Sequence, residues 1–225
     1  MVGIVVGAGA YYGISNLPAR TVTETTVSTT TILSTVTSTV TSTNTSPVYA
    51  RIDTSMGSFE VELFPACAPK TVANFVSLAQ SGFYDDLVWH RIITSFVIQT
   101  GDPNTRGGLN STRATWGQGG SNNTVPLEVG ICSWIGNYEG YLGMARGPGI
   151  DSGTSQFYIN LSNSTSNLDL NGYYTVFGKV VSGMSVVLTI GDAPVCQQST
   201  CPSTWPADEP LPAVFVNDVV ILDAA

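Results

Sequence analysis

Between residues 21 and 46, eighteen of 26 residues are Ser or Thr and the single charge is Glu24. Thr and Val lose rotamer freedom in a helix, and the tract has too few large apolar groups to offset the entropy of ordering it. It cannot build a core of its own, so whatever folds must fold from Pro47 onward. The composition is that of an O-glycosylated, extended stalk. Two other readings stand beside it. The Thr/Val alternation TVTSTVT of residues 35–41 suits a strand added to a neighbour's sheet edge. Leu33, Val36 and Val40 have the three-and-four spacing of a thin coiled-coil seam.

Ahead of the tract, residues 1–16 (MVGIVVGAGAYYGISN) are apolar and uncharged. They are shorter than the ~20 residues a bilayer crossing needs and lack the basic start of a secretory signal. They read as the remnant of a signal or membrane anchor, with a buried element or a subunit-contact segment as alternatives. The chain thus divides into an apolar segment 1–16, a Ser/Thr-rich stalk or linker 17–47 and a globular domain 48–225. The extension offers a membrane tether through the N-terminus or self-association through residues 1–46.

Charge narrows the partners. Acids outnumber bases 16 to 8, for a net charge of −8. Phosphate binding is driven by Lys and Arg releasing counterions, so nucleic acid and anionic membrane surfaces are excluded as partners. One histidine, His90, and four cysteines with no C-x-x-C exclude a metal site of ordinary ligand count, barring an all-carboxylate or intersubunit arrangement. Neither metal nor cofactor is expected.

Within the globular zone, residues 48–54 and 58–64 alternate apolar with polar around Ser55-Met-Gly, which predicts a β-hairpin. Pro69 opens a helix with Val72, Phe75, Val76 and Ala79 on one face and Gly82 beyond its end. Further strands are expected at 88–93, 96–100, 141–145, 156–160, 175–181 and 214–222, and a second helix at 183–190. Many short strands with few helices and Gly-rich loops favour a closed antiparallel barrel over a parallel α/β sheet.

Cys196 and Cys201 bracket Gln-Gln-Ser-Thr in a Pro/Ser/Thr-rich loop and can close a small ring if their Cα atoms come within about 7 Å. Cys67 and Cys132 either pair or stay buried as small hydrophobes. Asn-x-Ser/Thr sequons occur at Asn44, Asn110, Asn122, Asn160 and Asn163. With the stalk, they favour an extracytoplasmic address, at a cell surface or secreted, and a glycoprotein.

Four blocks then carry a family resemblance. The segment Trp89-His-Arg-Ile-Ile-Thr-Ser-Phe-Val-Ile-Gln-Thr-Gly-Asp-Pro103 resembles the cyclophilin signature F-H-R-x-I-x-x-F-x-x-Q-x-G-D. Leu142-Gly-Met-Ala-Arg-Gly-Pro148 with Ser152-Gly-Thr-Ser-Gln-Phe-Tyr-Ile159 is similar to the family's L-S-M-A-N…S-Q-F-F-I block, and Leu168-Asp-Leu-Asn-Gly-Tyr-Tyr-Thr-Val-Phe-Gly-Lys-Val180 to its L-D…T-V-F-G-x-V block. Glu62-Leu-Phe-Pro and Ala68-Pro-Lys-Thr-Val-Ala-Asn-Phe are similar to the opening strand and helix. The resemblance implies a mainly β fold, a closed eight-stranded antiparallel barrel capped by two α-helices, and peptidyl-prolyl cis/trans isomerisation of proline-containing polypeptide clients. A non-catalytic proline-binding module and a structural surface protein are the alternatives.

The barrier to X-Pro rotation is amide resonance, roughly 18–20 kcal/mol, and no bond is made or broken. A catalyst must bind the twisted amide better than either planar form, with a fixed donor aimed at the proline nitrogen as it becomes basic. Arg91, always protonated and carrying a rigid fork of donors, is the candidate. By motif position Phe96, Val97, Tyr158 and Leu168 resemble the walls of the apolar slot for the pyrrolidine ring. Gln99 and Gln156 resemble the polar groups that hold Arg91 and the substrate backbone. Ala145 and the backbone of Arg146 fall where the family grips the residues before proline; His90 falls on the site wall, or is merely packed. Departures from the pattern are Val97 for a methionine, widening the slot, and Tyr158 for a phenylalanine, adding a hydroxyl to its rim. Arg146 stands for an asparagine, Asn167 for a tryptophan common in eukaryotic members, and Tyr174 near the usual histidine after a longer turn.

Overall fold

In the computed structural model, which describes residues 47–196 and 201–222, period-two alternation forms the hairpin β1 (Val48–Thr54) and β2 (Gly57–Leu63). Ala50, Ile52, Phe59, Val61 and Leu63 are its buried face. The expectations for residues 1–46, the Asn44 sequon among them, lie outside the described residues.

Helix α1 (Pro69–Gln80) buries Val72, Phe75, Val76 and Ala79, the stripe expected of a helix lying on a sheet. Its first turn has no local side-chain cap. A carboxylate from 57 residues away takes that place: Glu128 accepts from the amides of Lys70 (3.0 Å) and Thr71 (2.8 Å) and from the Thr71 hydroxyl (2.8 Å). Phe75 centres the aromatic core, with ring centroids 5.3 Å from Tyr84 and 5.5 Å from both Phe157 and Phe177.

The remaining strands are β3 (Leu87–Val88), β4 (Arg91–Ile93), β5 (Val97–Thr100), β6 (Tyr141–Met144), β7 (Phe157–Asn160), β8 (Val176–Ser182) and β9 (Phe215–Leu222). Helix α3 (Met184–Gly191) starts one residue later than expected. Gly183 sits at φ +77° against Phe59 and the Ser58 carbonyl, where no other residue fits and no helical turn continues. A one-turn helix α2 (Thr165–Leu168) and two 3-10 turns, Pro103–Gly108 and Asn110–Thr115, were not expected.

All pairings are antiparallel, in the order β3-β9-β1-β2-β8-β6-β7-β5-β4. The fold is mainly β and cyclophilin-like, but a curled half-barrel of nine strands replaces the expected closed barrel of eight. The strand expected over 88–93 breaks at Trp89-His90 because the chain changes partner there. The Trp89 amide donates to Val214 O (2.9 Å) and the Ile92 amide to Asp208 O (2.8 Å). The two end strands, β3 and β4, are joined by these two residues of chain, and among the described residues no ladder pairs them.

Cys67 is bridged to Cys132 and Cys196 to Cys201, with Cα separations of 5.4 and 5.8 Å. Asn110, Asn122 and Asn163 are exposed, whereas the Asn160 sequon is 0% exposed and its amide is hydrogen-bonded to Tyr141 O, which closes it to glycosylation in the folded state. Among the described residues no helix is long and apolar enough to cross a membrane.

Candidate active site

Strand periodicity divides the labour. On β4, β5 and β7, Ile92, Ile98, Phe157 and Ile159 point into the core, so Arg91, Gln99 and Tyr158 must point to the other face. Register then lines them up: Arg91 pairs with Gln99, Gln99 with Tyr158, and Tyr158 with Gly143 on β6. Gly143 ends the row because any Cβ there would strike the Tyr158 ring.

A chain of amides runs across this face. Gln156 Nε2 donates to the backbone carbonyls of Gly117 (3.0 Å) and Gly119 (2.6 Å). Carbonyls only accept, so the Gln156 amide is oriented by them, and its Oε1 faces Gln99 Nε2 at 2.8 Å. That in turn leaves Gln99 Oε1 toward Arg91 Nη1, at 3.4 Å. The guanidinium is thereby aimed by a one-way relay anchored in a glycine-rich loop. Five arginines lie among the described residues. Arg51 and Arg113 pair with Asp53 and Glu209, and Arg106 and Arg146 donate to backbone carbonyls. Arg91 alone has only this long contact to a neutral amide, leaving most of its donors unspent.

Around the row, Phe96 is half-buried in the β4–β5 turn, its carbonyl accepting from Leu161 N (2.8 Å) and Asn167 Nδ2 (2.8 Å). Val97, two residues before Gln99 on the same face of β5, is buried, and Leu168 on α2 is 38% exposed. Tyr158 meets Tyr174 edge to face at 5.9 Å. Its hydroxyl is not on the slot's rim, as expected; it points inward and donates to Asn137 Oδ1 at 2.7 Å. Burial pushes this phenol well above its ordinary pKa, with Tyr174 adding to the shift. The Arg146 guanidinium donates to Tyr173 O (2.8 Å) and lies over the Tyr174 ring at 5.1 Å, which pins it beside the site.

His90 is 4% exposed and sits behind Gly117, so it backs the loop that anchors the relay and does not line the open groove. Burial lowers its pKa to about 4, against the opposing pull of Asp102 and of the nearby Val88 carbonyl and Gln156 side chain, and with a small further push from Arg91. The ring is neutral at physiological pH.

An open groove of about 370 Å³ adjoins the row, lined by Gln99, Gln156, Ala145, Arg146 and the 117–121 loop. Four of the eleven candidate residues therefore meet in one cavity. Arg91 and Tyr174 contact its lining through Gln99 and Arg146, Tyr158 meets Tyr174, His90 lies behind, and Phe96, Val97 and Leu168 are outside its lining. Sequence reasoning missed Asn137 altogether and gave the Gly117-Gln-Gly-Gly run no role, although its glycine density was a signal that backbone comes close there.

The model of the family described as cyclophilin type peptidyl-prolyl cis-trans isomerase/CLD matches residues 49–219. A peptidyl-prolyl cis-trans isomerase-like 1 from Aspergillus niger is 41% identical over 139 residues, 62% of this chain and 78% of the relative. A peptidyl-prolyl isomerase CWC27 from Cryptococcus neoformans is 38% identical over 143 residues, 63% of this chain and 27% of the relative. The crystal structure of a Cryptosporidium parvum cyclophilin type peptidyl-prolyl cis-trans isomerase superposes with a TM-score of 0.66 at 27% identity, covering 80% of this chain and all of that one. The same enzyme crystallised in the presence of the dipeptide Ala-Pro gives 0.64 at 28% identity, covering 78% of this chain and 99% of that one. On its motifs, its fold and the row of Arg91, Gln99 and Tyr158, the chain belongs to the cyclophilin-type peptidyl-prolyl cis-trans isomerases.

Proposed function

We propose that this isomerase acts as a foldase on X-Pro bonds of extracytoplasmic proteins, with Arg91 as the catalytic donor. The observation that carries the catalytic role is the state of that guanidinium: oriented by Gln99 and Gln156, and without a carboxylate or backbone carbonyl partner among the described residues. As the amide twists, the proline nitrogen gains a lone pair, and a preoriented cation stabilises that form more than the planar ones. Phe96, Val97, Leu168, Tyr158 and Tyr174 form the apolar surround of the ring. Ala145 and Arg146 receive the residues before proline in the adjoining groove, as the groove's lining supports.

The extracytoplasmic address is supported by two disulfides in a domain with no free cysteine among the described residues and by three exposed sequons. The Ser/Thr tract serves as a stalk, and residues 1–16 as its tether or as a self-association segment. Cis/trans exchange of a proline peptide, followed with and without the protein, tests the activity; no acceleration over background sinks the catalytic reading. Mass spectrometry of unreduced peptides from cells tests the address, since four free thiols would remove its chemical support. Sizing the chain with and without residues 1–46 tests self-association.

A further inference from the structure

Behind the proposed proline slot lies a run of buried asparagines that no motif accounts for. Asn137, Asn160 and Asn167 are each 0% exposed. Asn137 Oδ1 accepts from the Tyr158 hydroxyl (2.7 Å) and from Asn160 Nδ2 (3.3 Å), while its backbone N and Nδ2 donate to Asn171 Oδ1 at 2.7 and 3.2 Å. Asn160 Oδ1 accepts from Asn167 Nδ2 (2.9 Å), which also donates to Phe96 O (2.8 Å). Asn167 Oδ1 is taken by the Ser164 hydroxyl at 2.6 Å. The path runs unbroken from Asn171, in the turn that carries Tyr174, through Asn137, Asn160 and Asn167 to the turn that carries Phe96, and Tyr158 joins it as a branch at Asn137.

Buried amides cost free energy unless satisfied, and a satisfied network in a low-dielectric interior is stiff. This one is tied to two of the aromatic residues assigned to the slot, Tyr158 through its hydroxyl and Phe96 through its carbonyl. The hydroxyl of Tyr158 is consumed there, so the slot meets only the ring. Asn167 reaches inward to the Phe96 carbonyl and so fixes the β4–β5 turn.

We infer that Asn137 and Asn167 are positioning residues of the proline slot, holding its Tyr158 and Phe96 walls through the phenol hydroxyl and the Phe96 carbonyl. The inference rests on reading those two rings as the walls. Its test is steady-state isomerisation by the full chain as wild type, Asn137→Ala, Tyr158→Phe and the double variant, with Asn167→Ala beside them. Thermal unfolding of each is recorded. Loss of one buried hydrogen bond should raise KM about three- to tenfold with kcat within about twofold. The double variant should be no worse than the worse single, because both changes break the same bond. A fall in Tm with KM unchanged makes the network merely structural and overturns the inference, as do Asn137 and Tyr158 effects that multiply. Should Asn137→Ala fail to fold, Tyr158→Phe decides alone, since it deletes one oxygen. Phe96→Ala and Tyr158→Ala separate the two levels. If they leave KM untouched the wall reading fails and this inference with it; if they raise KM while Asn137→Ala and Tyr158→Phe do not, only this inference fails.

Discussion

Replacing Arg91 by alanine should remove catalysis while leaving the fold and the peptide complex nearly intact. Among the described residues the guanidinium makes one hydrogen bond, 3.4 Å long, to a neutral amide. Such a bond contributes less than about 1 kcal/mol, and Gln99 keeps its 2.8 Å bond to Gln156 when it is gone. The thermal midpoint should therefore move by no more than about 2–4 °C. In the transition state the same group would face a basic nitrogen in a sheltered site, an interaction worth roughly 2–4 kcal/mol, or about 30- to 1,000-fold in rate. Line-shape or exchange NMR on a proline peptide gives the catalysed rate, and calorimetry on the same peptide gives its affinity. Arg91→Ala should lower kcat by that factor and change Kd by less than about threefold. Arg91→Lys should recover little, because an ammonium lacks the planar fork that Gln99 aligns. A rate loss under threefold, a loss carried wholly by Kd, or full rescue by lysine would each refute the argument.

Three further outcomes follow from the geometry. His90 is neutral in the folded state down to about pH 4 and protonates near 6.5 when unfolded, so the unfolded chain binds the extra proton between those values. Stability should fall as pH drops through that window, by up to roughly 1.4 kcal/mol per unit, and His90→Gln should flatten the slope, whereas kcat/KM stays level from about pH 6 to 8; a step in kcat/KM near 6.5 counts against it. Glu128→Ala strips three hydrogen bonds from the start of α1 and should cost about 2–4 kcal/mol in urea unfolding, with under ~0.5 kcal/mol ruling out the capping role. On chain-entropy grounds the Cys67–Cys132 bridge, spanning 65 residues, should contribute about 4 kcal/mol and the Cys196–Cys201 bridge, spanning 5, about 2, so paired alanine replacements of equal cost would contradict the loop-length account.

What could be read from the sequence was what local periodicity encodes. The hairpin of β1 and β2, the buried stripe of α1 and the facing of Arg91 and Gln99 away from the core all follow from spacings of two or three-and-four. The break at Trp89-His90 does not, because the run from Val88 to Ile93 holds no Gly, Pro or turn residue to mark it. What splits the strand is a switch of partners to Val214 and Asp208, more than a hundred residues on. The asparagines escaped for a related reason. Asn137, Asn167 and Asn171 lie in segments whose local chemistry reads as turn, and Asn160 read as a sequon. The burial of Asn137, Asn160 and Asn167 exists only once β6, β7 and α2 have closed over them. The buried acceptor of the Tyr158 hydroxyl, Asn137, comes from a loop outside the four family blocks, so the motif alone leaves that hydroxyl on the rim.

The two faces of β4, β5 and β7 therefore answer to different demands, and substitutions should sort accordingly. Ile92, Ile98 and Phe157 touch only the core, so shortening them opens cavities at a cost of roughly 1–5 kcal/mol without moving any group of the relay. Arg91 and Gln99 lie on the opposite face, partly exposed, so on the proposed mechanism their substitution should change rate and spare stability. Tyr158 belongs to both classes: its ring stands in the row beside Gln99, while its hydroxyl joins a buried network through Asn137. Activity and stability can be varied independently along most of this sheet, and they become coupled where that network meets the row.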